Sequence, residues 1–243
     1  MGLRIACDLD GTLADMDAAL QREARRLYGP DVDLHASPKQ PLESAEDIED
    51  ELSGQTDGLE AEPPAPEAPR GRPLDKSELR RLWAHVGTIE NFWKSLGEIE
   101  PGAVAKLAAL AARHRWDVLF VTQRPSSAGE TTQLQSQRWL QAHGFELPSV
   151  FVNGARGRVA HALSLDAVLD DRPENCLDVV TDSKATPLLI WRHKREALPP
   201  GINQTRIETF YSFNDALARL EQMSADRSRK PSLIGRVRRA IGI

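Results

Sequence analysis

Short apolar runs alternate with longer amphipathic stretches along most of the chain. Five of these runs have the length and aliphatic composition of buried β-strands, at residues 3–7, 118–122, 150–152, 167–169 and 188–191. Helical patterns lie between them. This alternation predicts an α/β fold layered around a mostly parallel sheet, in which ligand sites form at the carboxyl ends of the strands.

Helix signals support this alternation. The stretch "PGAVAKLAALAARH" begins at Pro101, with proline suited to a first turn, and "ETTQLQSQRWLQAHG" ends at Gly144, a natural C-cap. Ser212 and Asp215 have the spacing of a capping box at the start of "SFNDALARLEQM", with Asp in place of the usual Glu or Gln. Two further helices are predicted in "RGRVAHAL" and "RPENCLDVV".

The segment between the first two predicted strands is too long for a single crossover. We predict a helix around residues 15–28 and a helical stretch over residues 77–96, which together form a small helical cap. The tract between them, about residues 37–75, is acidic, rich in proline and nearly free of large apolar side chains. Such a tract cannot bury enough surface to offset the entropy of ordering, so we predict disorder there.

These features divide the chain into a core (residues 1–14 and 97–223), a cap insertion (residues 15–96) and a basic tail (residues 224–243). The tail contains "SLIGRVRRAIGI", which as a helix would be basic and amphipathic, a pattern typical of segments that lie on anionic membrane surfaces. Two other interpretations stay open, namely a frayed terminus and weak pairing with the acidic tract.

Composition narrows the function classes. The 243 residues carry a formal net charge of −5, which gives no reason to expect a nucleic acid polymer as partner. The two cysteines, Cys7 and Cys176, fit a reducing cytosol, and no apolar run approaches the roughly 20 residues of a membrane span. The first apolar strand begins too early to leave room for a signal peptide. We therefore expect a cytoplasmic protein.

Acidic residues gather directly after the first predicted strand, in "CDLDGTLAD". Asp8 and Asp10 are two residues apart, so both can point toward one cavity as the chain leaves the sheet, and Gly11 allows the turn that follows. Unpaired carboxylates are costly at a buried strand end. The stretch is therefore either a turn with capping aspartates or a site that holds a cation and uses a carboxylate as a reagent.

Two more predicted strands end in polar residues. Thr122 ends the strand in "LFVTQRP", and the pair Asp170-Asp171 ends the strand in "AVLDDRPENC". Adjacent carboxylates repel one another unless a cation lies between them, and Mg²⁺ is the natural candidate because it takes oxygen ligands. No pair of histidines has metal-ligand spacing, and two cysteines are too few for a zinc site.

Taken in order, Asp8-Leu9-Asp10-Gly11-Thr12, Thr122 and Asp170-Asp171 resemble motifs I, II and IV of the haloacid dehalogenase superfamily. The resemblance covers residues 3 to about 191. It implies a Rossmann-like three-layer α/β sandwich with a mostly parallel sheet, a small helical cap inserted after the first strand, and Mg²⁺-dependent phosphoryl transfer.

The resemblance also implies a role for each residue. Asp8 is the nucleophile that forms an aspartyl-phosphate, and Asp10 is the general acid and base that protonates the leaving oxygen and then activates water. Thr122 hydrogen-bonds a phosphoryl oxygen. The Mg²⁺ ligands are the Asp8 carboxylate, the Asp10 carbonyl oxygen and Asp170 together with Asp171.

The superfamily's third motif is a lysine, or sometimes an arginine, that steadies the nucleophile and the phosphate. The stretch "NGARGRVAHALSLDAVLDD" contains no lysine. We assign this role to Arg158, twelve residues before Asp170. Arg156 is the second choice, and Lys184, beyond the fourth motif, stays open as the third.

A narrower resemblance concerns the substrate. The stretches "DDRP", "FWKSLGEIEPGA" and "QRWLQAHGF" are similar to the 5'(3')-deoxyribonucleotidase family, in which a small helical cap places aromatic side chains over the base. Phe92 and Trp93, with Trp83 as a further candidate, are expected to stack on a base here. The alternative is that these aromatic side chains form the core of the cap.

In the second motif, Gln123 and Arg124 replace the Ser-Pro usual in that family, and we count both as candidate phosphate ligands. Arg124 either contacts a second anionic group or pairs with an acid. The sequence thus predicts a Mg²⁺-dependent phosphohydrolase acting on a small phosphate monoester, with a nucleoside monophosphate as leading candidate, as in a 5'-nucleotidase. Non-catalytic phosphate or nucleotide binding and phosphoryl transfer to an acceptor other than water stay open.

Overall fold

The computed structural model describes residues 2–36, 71–152 and 154–229. Six strands lie in this part of the chain: β1 (Arg4–Cys7), β2 (Asp117–Thr122), β3 (Ser149–Val152), β4 (Ala167–Asp170), β5 (Thr186–Ile190) and β6 (Glu208–Phe210). They form one sheet in the order β3-β2-β1-β4-β5-β6, and every neighbouring pair is parallel.

Seven α-helices lie in the same described ranges: α1 (Met16–Tyr28), α2 (Lys76–Thr88), α3 (Ala103–His114), α4 (Thr132–Ala142), α5 (Arg156–Ala162), α6 (Pro173–Asp182) and α7 (Phe213–Arg229). A short 3-10 turn at Phe92–Lys94 follows α2. The predicted helices are thus confirmed, except that the stretch predicted over residues 77–96 divides into α2 and the 3-10 turn at Phe92–Lys94. The main-chain N–H of Asp215 bonds Ser212 Oγ at the start of α7, as the capping spacing predicted.

Side chains from the two faces of the sheet enter different apolar clusters. Ile5 and Cys7 of β1 belong to a large cluster that contains residues of α1, α2, α3, α4 and α7. Ala6, which points to the other face, packs with residues of α5 and α6. Because successive side chains of a strand alternate between faces, this division places helices on both sides of the sheet. The predicted Rossmann-like three-layer α/β sandwich is confirmed.

The five predicted strands are all present, with ends shifted by at most two residues. The sixth strand, β6, was missed because it has three residues and contributes one apolar side chain, Phe210, at the edge of the sheet. A strand this short carries too few alternating positions for a periodicity to emerge.

The two ends of the insertion lie side by side. Asp15 caps α1 through a bond from the Ala18 N–H (2.9 Å), and its own main-chain N–H bonds the Gly97 carbonyl (2.9 Å). The N–H of Ile99 in turn bonds the Leu13 carbonyl (2.9 Å). The helices of the insertion pack in the same apolar cluster as the sheet, and the division into core and cap stays a prediction.

The predicted disordered tract is wrong at its C-terminal end. Residues 71–75 are structured: the Arg72 N–H bonds the Asp31 carbonyl (2.7 Å), and Asp75 forms a capping box with Glu78 at the start of α2. Backbone pairing, capping and the packing of Leu74 against the main apolar cluster order these residues. Residues 37–70 lie outside the described residues.

The predicted tail begins inside α7, which continues to Arg229, and the amphipathic stretch at 232–243 lies outside the described residues. Among the helices that the structure describes, none has both the length and the apolar character needed to cross a membrane. Cys7 and Cys176 are both buried and not in a disulfide.

Candidate active site

The carboxyl ends of the three central strands bring the predicted site together. Asp8 directly follows β1, Thr122 ends β2 and Asp170 ends β4, and β1 lies between β2 and β4 in the sheet. All three side chains are buried, with Asp8 5% exposed and the other two at 0%. Parallel strands end at the same edge, which explains why residues far apart in sequence meet here.

A tight turn carries the chain away from Asp8. The N–H groups of Leu13 and Ala14 bond the Leu9 carbonyl at 2.8 and 2.7 Å. Gly11 has a φ of +79°, and a Cβ built on it would lie 2.1 Å from Asp171 Oδ2. Glycine is therefore required twice at this position, for the left-handed backbone and for the close approach of Asp171.

Arg192 holds the same turn through hydrogen bonds to its main chain. Its guanidinium donates to the carbonyl oxygens of Gly11 (3.2 Å) and Thr12 (3.0 Å) and to Glu100 Oε1 (2.7 Å). Burial alone would raise the pKa of Glu100, but bonds from the Phe213 N–H and Arg192 outweigh it, so the pKa lies below its usual value. This support carried no motif in the sequence and was missed.

Arg156 is the cation next to the candidate nucleophile. Its Nη2 lies 2.5 Å from Asp8 Oδ1, and its Nε lies 3.1 Å from Asp170 Oδ2. Burial raises the pKa of Asp8 well above its usual value, and the charge of Asp170 adds to this, while Arg156 acts in the opposite direction. When both carboxylates are ionised, the single positive charge of Arg156 offsets only part of their negative charge.

The first-choice cation of the sequence analysis is wrong. Arg158 is exposed on α5, because two residues along a helix rotate a side chain by about 200°. Lys184 is also exposed and lies between α6 and β5, at the amino end of β5 and so at the opposite edge of the sheet. The second choice, Arg156, is the one that the structure places at Asp8.

Asp170 is held by nitrogen donors at both carboxylate oxygens. Asn175 Nδ2 lies 2.9 Å from Oδ1 and 3.1 Å from Oδ2, and the Arg172 N–H bonds Oδ1 at 3.0 Å. Together with Arg156 these contacts fix the side chain. Asn175 was not predicted, although it stands in the quoted motif "DDRPENC", one helical turn into α6.

Asp171 has a different environment. Thr12 Oγ1 donates to its Oδ1 across 3.4 Å. Burial raises its pKa well above the usual value, and the charges of Asp170 and Asp17 act in the same direction. Within residues 2–36, 71–152 and 154–229, no three His, Cys, Asp or Glu side chains are arranged to enclose a metal ion.

Asp10 faces the second motif. Arg124 Nε lies 2.7 Å from Asp10 Oδ2, Arg124 Nη2 lies 2.7 Å from Oδ1, and Thr122 Oγ1 donates to Oδ2 at 3.3 Å. Of the two alternatives for Arg124, the structure shows pairing with an acid. The predicted role of Arg124 as a phosphate ligand is therefore corrected, because its guanidinium pairs with Asp10. Gln123 is half-buried beside Gly154.

The aromatic side chains assigned to base stacking are in the core. Phe92 is 2% exposed and Trp93 0%, and their rings meet edge to face with centroids 5.1 Å apart. Trp93 Nε1 donates to the Pro125 carbonyl (3.0 Å), and Trp83 is buried as well. The substrate-stacking assignment of Phe92 and Trp93 is wrong, because apolar packing covers both rings.

A cavity of about 160 Å³ opens beside Asp171. Met16 and Ile99 contribute apolar surface, and Asp17, Arg192 and His193 contribute polar groups. Burial raises the pKa of Asp17, His35 and His193 oppose this, and the charge of Asp15 adds to it.

The fold is shared with a solved structure at low sequence identity. A hydrolase from Pseudomonas syringae matches with a TM-score of 0.51 and 16% identity, over 90% of this chain and 98% of that chain. A HAD family hydrolase from Deinococcus radiodurans R1 with bound phosphate and sodium matches with a TM-score of 0.49 and 13% identity, over 90% of this chain and 96% of that chain. CbbY from Rhodobacter sphaeroides in complex with phosphate matches with a TM-score of 0.46 and 18% identity, over 91% of this chain and 100% of that chain. No protein-family model and no curated protein matches the chain. The first of these structures shows a common fold.

Proposed function

We propose that this protein is a phosphohydrolase that cleaves small phosphate monoesters through an aspartyl-phosphate on Asp8. The observation that carries the proposal is the buried Asp8 carboxylate at the end of β1, paired with Arg156 and adjoined by Asp10 and Asp171. The order of these motifs along the chain resembles the haloacid dehalogenase superfamily, and the hydrolase from Pseudomonas syringae shares the fold. Buried carboxylates whose pKa is raised by burial and by a neighbouring charge are typical of catalytic sites.

The residues divide the chemistry between them. Asp8 attacks phosphorus, and the bond from phosphorus to the leaving oxygen breaks as Asp10 gives that oxygen a proton. Water then attacks the aspartyl-phosphate, Asp10 takes a proton from the water, and phosphate leaves Asp8. Arg156 offsets the negative charge of Asp8 and of the phosphoryl group. Thr122 and Gln123, at the end of β2, are the proposed phosphate ligands.

Mg²⁺ fits the donors that are present. Asp8 is a buried and Asp171 a half-buried carboxylate, and loss of solvation together with the charge of Asp170 raises the pKa of both. Oxygen is the donor that Mg²⁺ prefers. These two side chains, with the Asp10 carbonyl oxygen and waters, are the proposed ligands. Asp170 is the weaker candidate, because nitrogen donors engage both of its oxygens. When bound, the ion reduces the repulsion between the nucleophile and the phosphate.

The substrate is proposed to be smaller than a nucleotide. Phe92 and Trp93 offer no exposed ring for stacking on a base. A small alcohol or sugar phosphate therefore fits this observation better than a nucleoside monophosphate.

The test is hydrolysis of a generic aryl phosphate with and without Mg²⁺. Asp8→Asn should lower turnover by about 1,000-fold or more, because the amide is a poor nucleophile. Asp15→Asn is the matched control, since asparagine also caps a helix and Asp15 lies outside the proposed chemistry. Acid-quenched wild-type protein should carry a phosphoryl group on Asp8, detected by peptide mass spectrometry.

Other outcomes would contradict the proposal. Phosphate binding in calorimetry without turnover of any ester would indicate a binding protein. Transfer of phosphate to an added alcohol faster than to water would indicate a phosphotransferase. A phosphate-release screen over glycerol phosphate, sugar phosphates and nucleoside monophosphates tests the size limit, and highest kcat/KM on nucleotides would show that the substrate class is wrong.

A further inference from the structure

Arg124 is a buried arginine, and each nitrogen of its guanidinium has a defined hydrogen-bond partner. Its side chain is 0% exposed, and its Nε and Nη2 each lie 2.7 Å from one of the two Asp10 oxygens. The third guanidinium nitrogen, Nη1, donates to Ser136 Oγ on α4 at 2.9 Å. The guanidinium carbon lies 4.9 Å from the ring centroid of Trp93. Every edge of the guanidinium, and one of its faces, thus meets a defined partner.

The partners of Arg124 are themselves fixed. Ser136 is fully buried and donates to the Thr132 carbonyl (2.8 Å). Trp93 is anchored at its main-chain N–H by Gln135 Oε1 (3.1 Å) and at its indole N–H by the Pro125 carbonyl (3.0 Å). A guanidinium held this way has one orientation. Because a bidentate pair is planar, that orientation is passed on to the Asp10 carboxylate.

We propose that Arg124 is a positioning residue, which aims the Asp10 carboxyl group at the leaving oxygen and does not bind the phosphate. The inference rests on the proposed function and adds a residue to its machinery. Each carboxylate oxygen has two lone pairs. Arg124 and Thr122 both donate to Oδ2, whereas Oδ1 accepts from Arg124 and keeps its second lone pair directed away from the guanidinium. The gain is orientation, since a misplacement of about 1 Å at a reacting group can cost about 100-fold in rate.

The experiment compares two esters that need Asp10 to different degrees. An aryl phosphate has a good leaving group, whereas glycerol phosphate has a poor one that needs a proton. Arg124→Met should lower kcat on glycerol phosphate by about 10- to 100-fold and on the aryl phosphate by clearly less. KM should change little for both. Arg124→Lys should recover only part of the lost kcat, because an ammonium keeps the positive charge beside Asp10 but cannot make the bidentate pair.

A double-mutant cycle isolates the route of the effect. In an Asp10→Asn background, Arg124→Met should cause no further loss, because residues that act as a unit are not additive. Ser136→Ala removes one support of the guanidinium and should give a smaller effect with the same dependence on Asp10. Circular dichroism and thermal unfolding of each variant show that the fold is intact.

Three results would overturn the inference. The first is a rise in KM with kcat unchanged, and the second is a full, multiplicative loss in the Asp10→Asn background. The third is a loss of more than about 10-fold in the affinity for inorganic phosphate in Arg124→Met, measured by calorimetry, which corresponds to a lost direct ligand. That titration needs no turnover. A wild-type protein that hydrolyses no ester would contradict the proposed function and this role together, whereas wild-type turnover with any of the three results contradicts this role alone.

Discussion

Arg156→Met removes the guanidinium that joins Asp8 to Asp170 and keeps a side chain of comparable length. The three side chains are 4%, 6% and 0% exposed. Removing one partner of a buried ion pair costs about 3–5 kcal/mol, because the other charge is left uncompensated. Asp170 keeps its bonds from Asn175 and the Arg172 N–H, so we expect the lower value, about 3 kcal/mol. For a chain of this size that is a fall in Tm of about 6–12 °C.

The assay is thermal and urea unfolding of the metal-free protein, with Arg158→Met as the matched control. Arg158 lies on the same helix but is exposed, so its substitution should change the free energy of unfolding by no more than about 0.5 kcal/mol. The pH dependence gives a second readout. Burial raises the pKa of Asp8, so the folded protein takes up a proton there at a pH where an unfolded aspartate is still ionised.

The deficit of Arg156→Met should therefore be larger at pH 8 than at a pH closer to the ordinary aspartate pKa of about 3.9, because protonation of Asp8 removes the uncompensated charge. Turnover should be lost in Arg156→Met and kept in Arg158→Met. Equal unfolding free energies for the two variants would refute the pairing of Arg156 with Asp8. A deficit that is the same at both pH values would show that the unpaired charge is not on Asp8.

Two further substitutions test features that place the site. A Cβ on Gly157 would lie 2.3 Å from the Asp178 carbonyl oxygen, so Gly157→Ala should lower the free energy of urea unfolding by about 1–3 kcal/mol. Gly87→Ala in α2 is the control: its Cβ would lie 3.8 Å from the nearest atom, so stability should stay unchanged or rise. The reverse order of stabilities would be evidence against the close approach of α5 to α6. Glu100→Gln should destabilise the protein at pH 7. The pKa of Glu100 is lowered in the folded protein, so its contribution to stability, including the bond from Arg192, is present above the ordinary glutamate pKa of about 4.3 and is lost as acid protonates the side chain. The loss of stability in the variant should therefore shrink below that pH, and a loss that persists unchanged at pH 3 would contradict this.

The carboxyl ends of β1, β2 and β4 show which features of the site a local sequence pattern can predict. Short runs of three to five mainly apolar residues mark β1, β2 and β4, and the polar residue at or directly after the end of each run is visible without any structure. Parallel strands bring those ends to one edge, so Asp8, Thr122 and Asp170 were predictable as neighbours. The caps at Asp15 and Ser212 were predictable for a similar reason, because capping is decided within four residues.

Side-chain partners across the site were not predictable in this way. Arg156 and Arg158 are the same residue type, and they lie 14 and 12 residues before Asp170 in the chain. The choice between them depends on the rotation of α5 about its axis, which the contact of Gly157 with α6 fixes. The pairing of Arg124 with Asp10 likewise depends on where α4 and the Phe92–Lys94 turn pack.

The sequence by itself thus determined the α/β layering, the strand ends that carry the chemistry and the helix caps, because each depends on periodicity or on groups a few residues apart. The tertiary structure alone decided which cation reaches Asp8, that Arg124 faces Asp10, and that Phe92 and Trp93 are buried. These are distances between elements, set by how helices rotate and pack on the sheet, and a burial pattern along one element does not contain them.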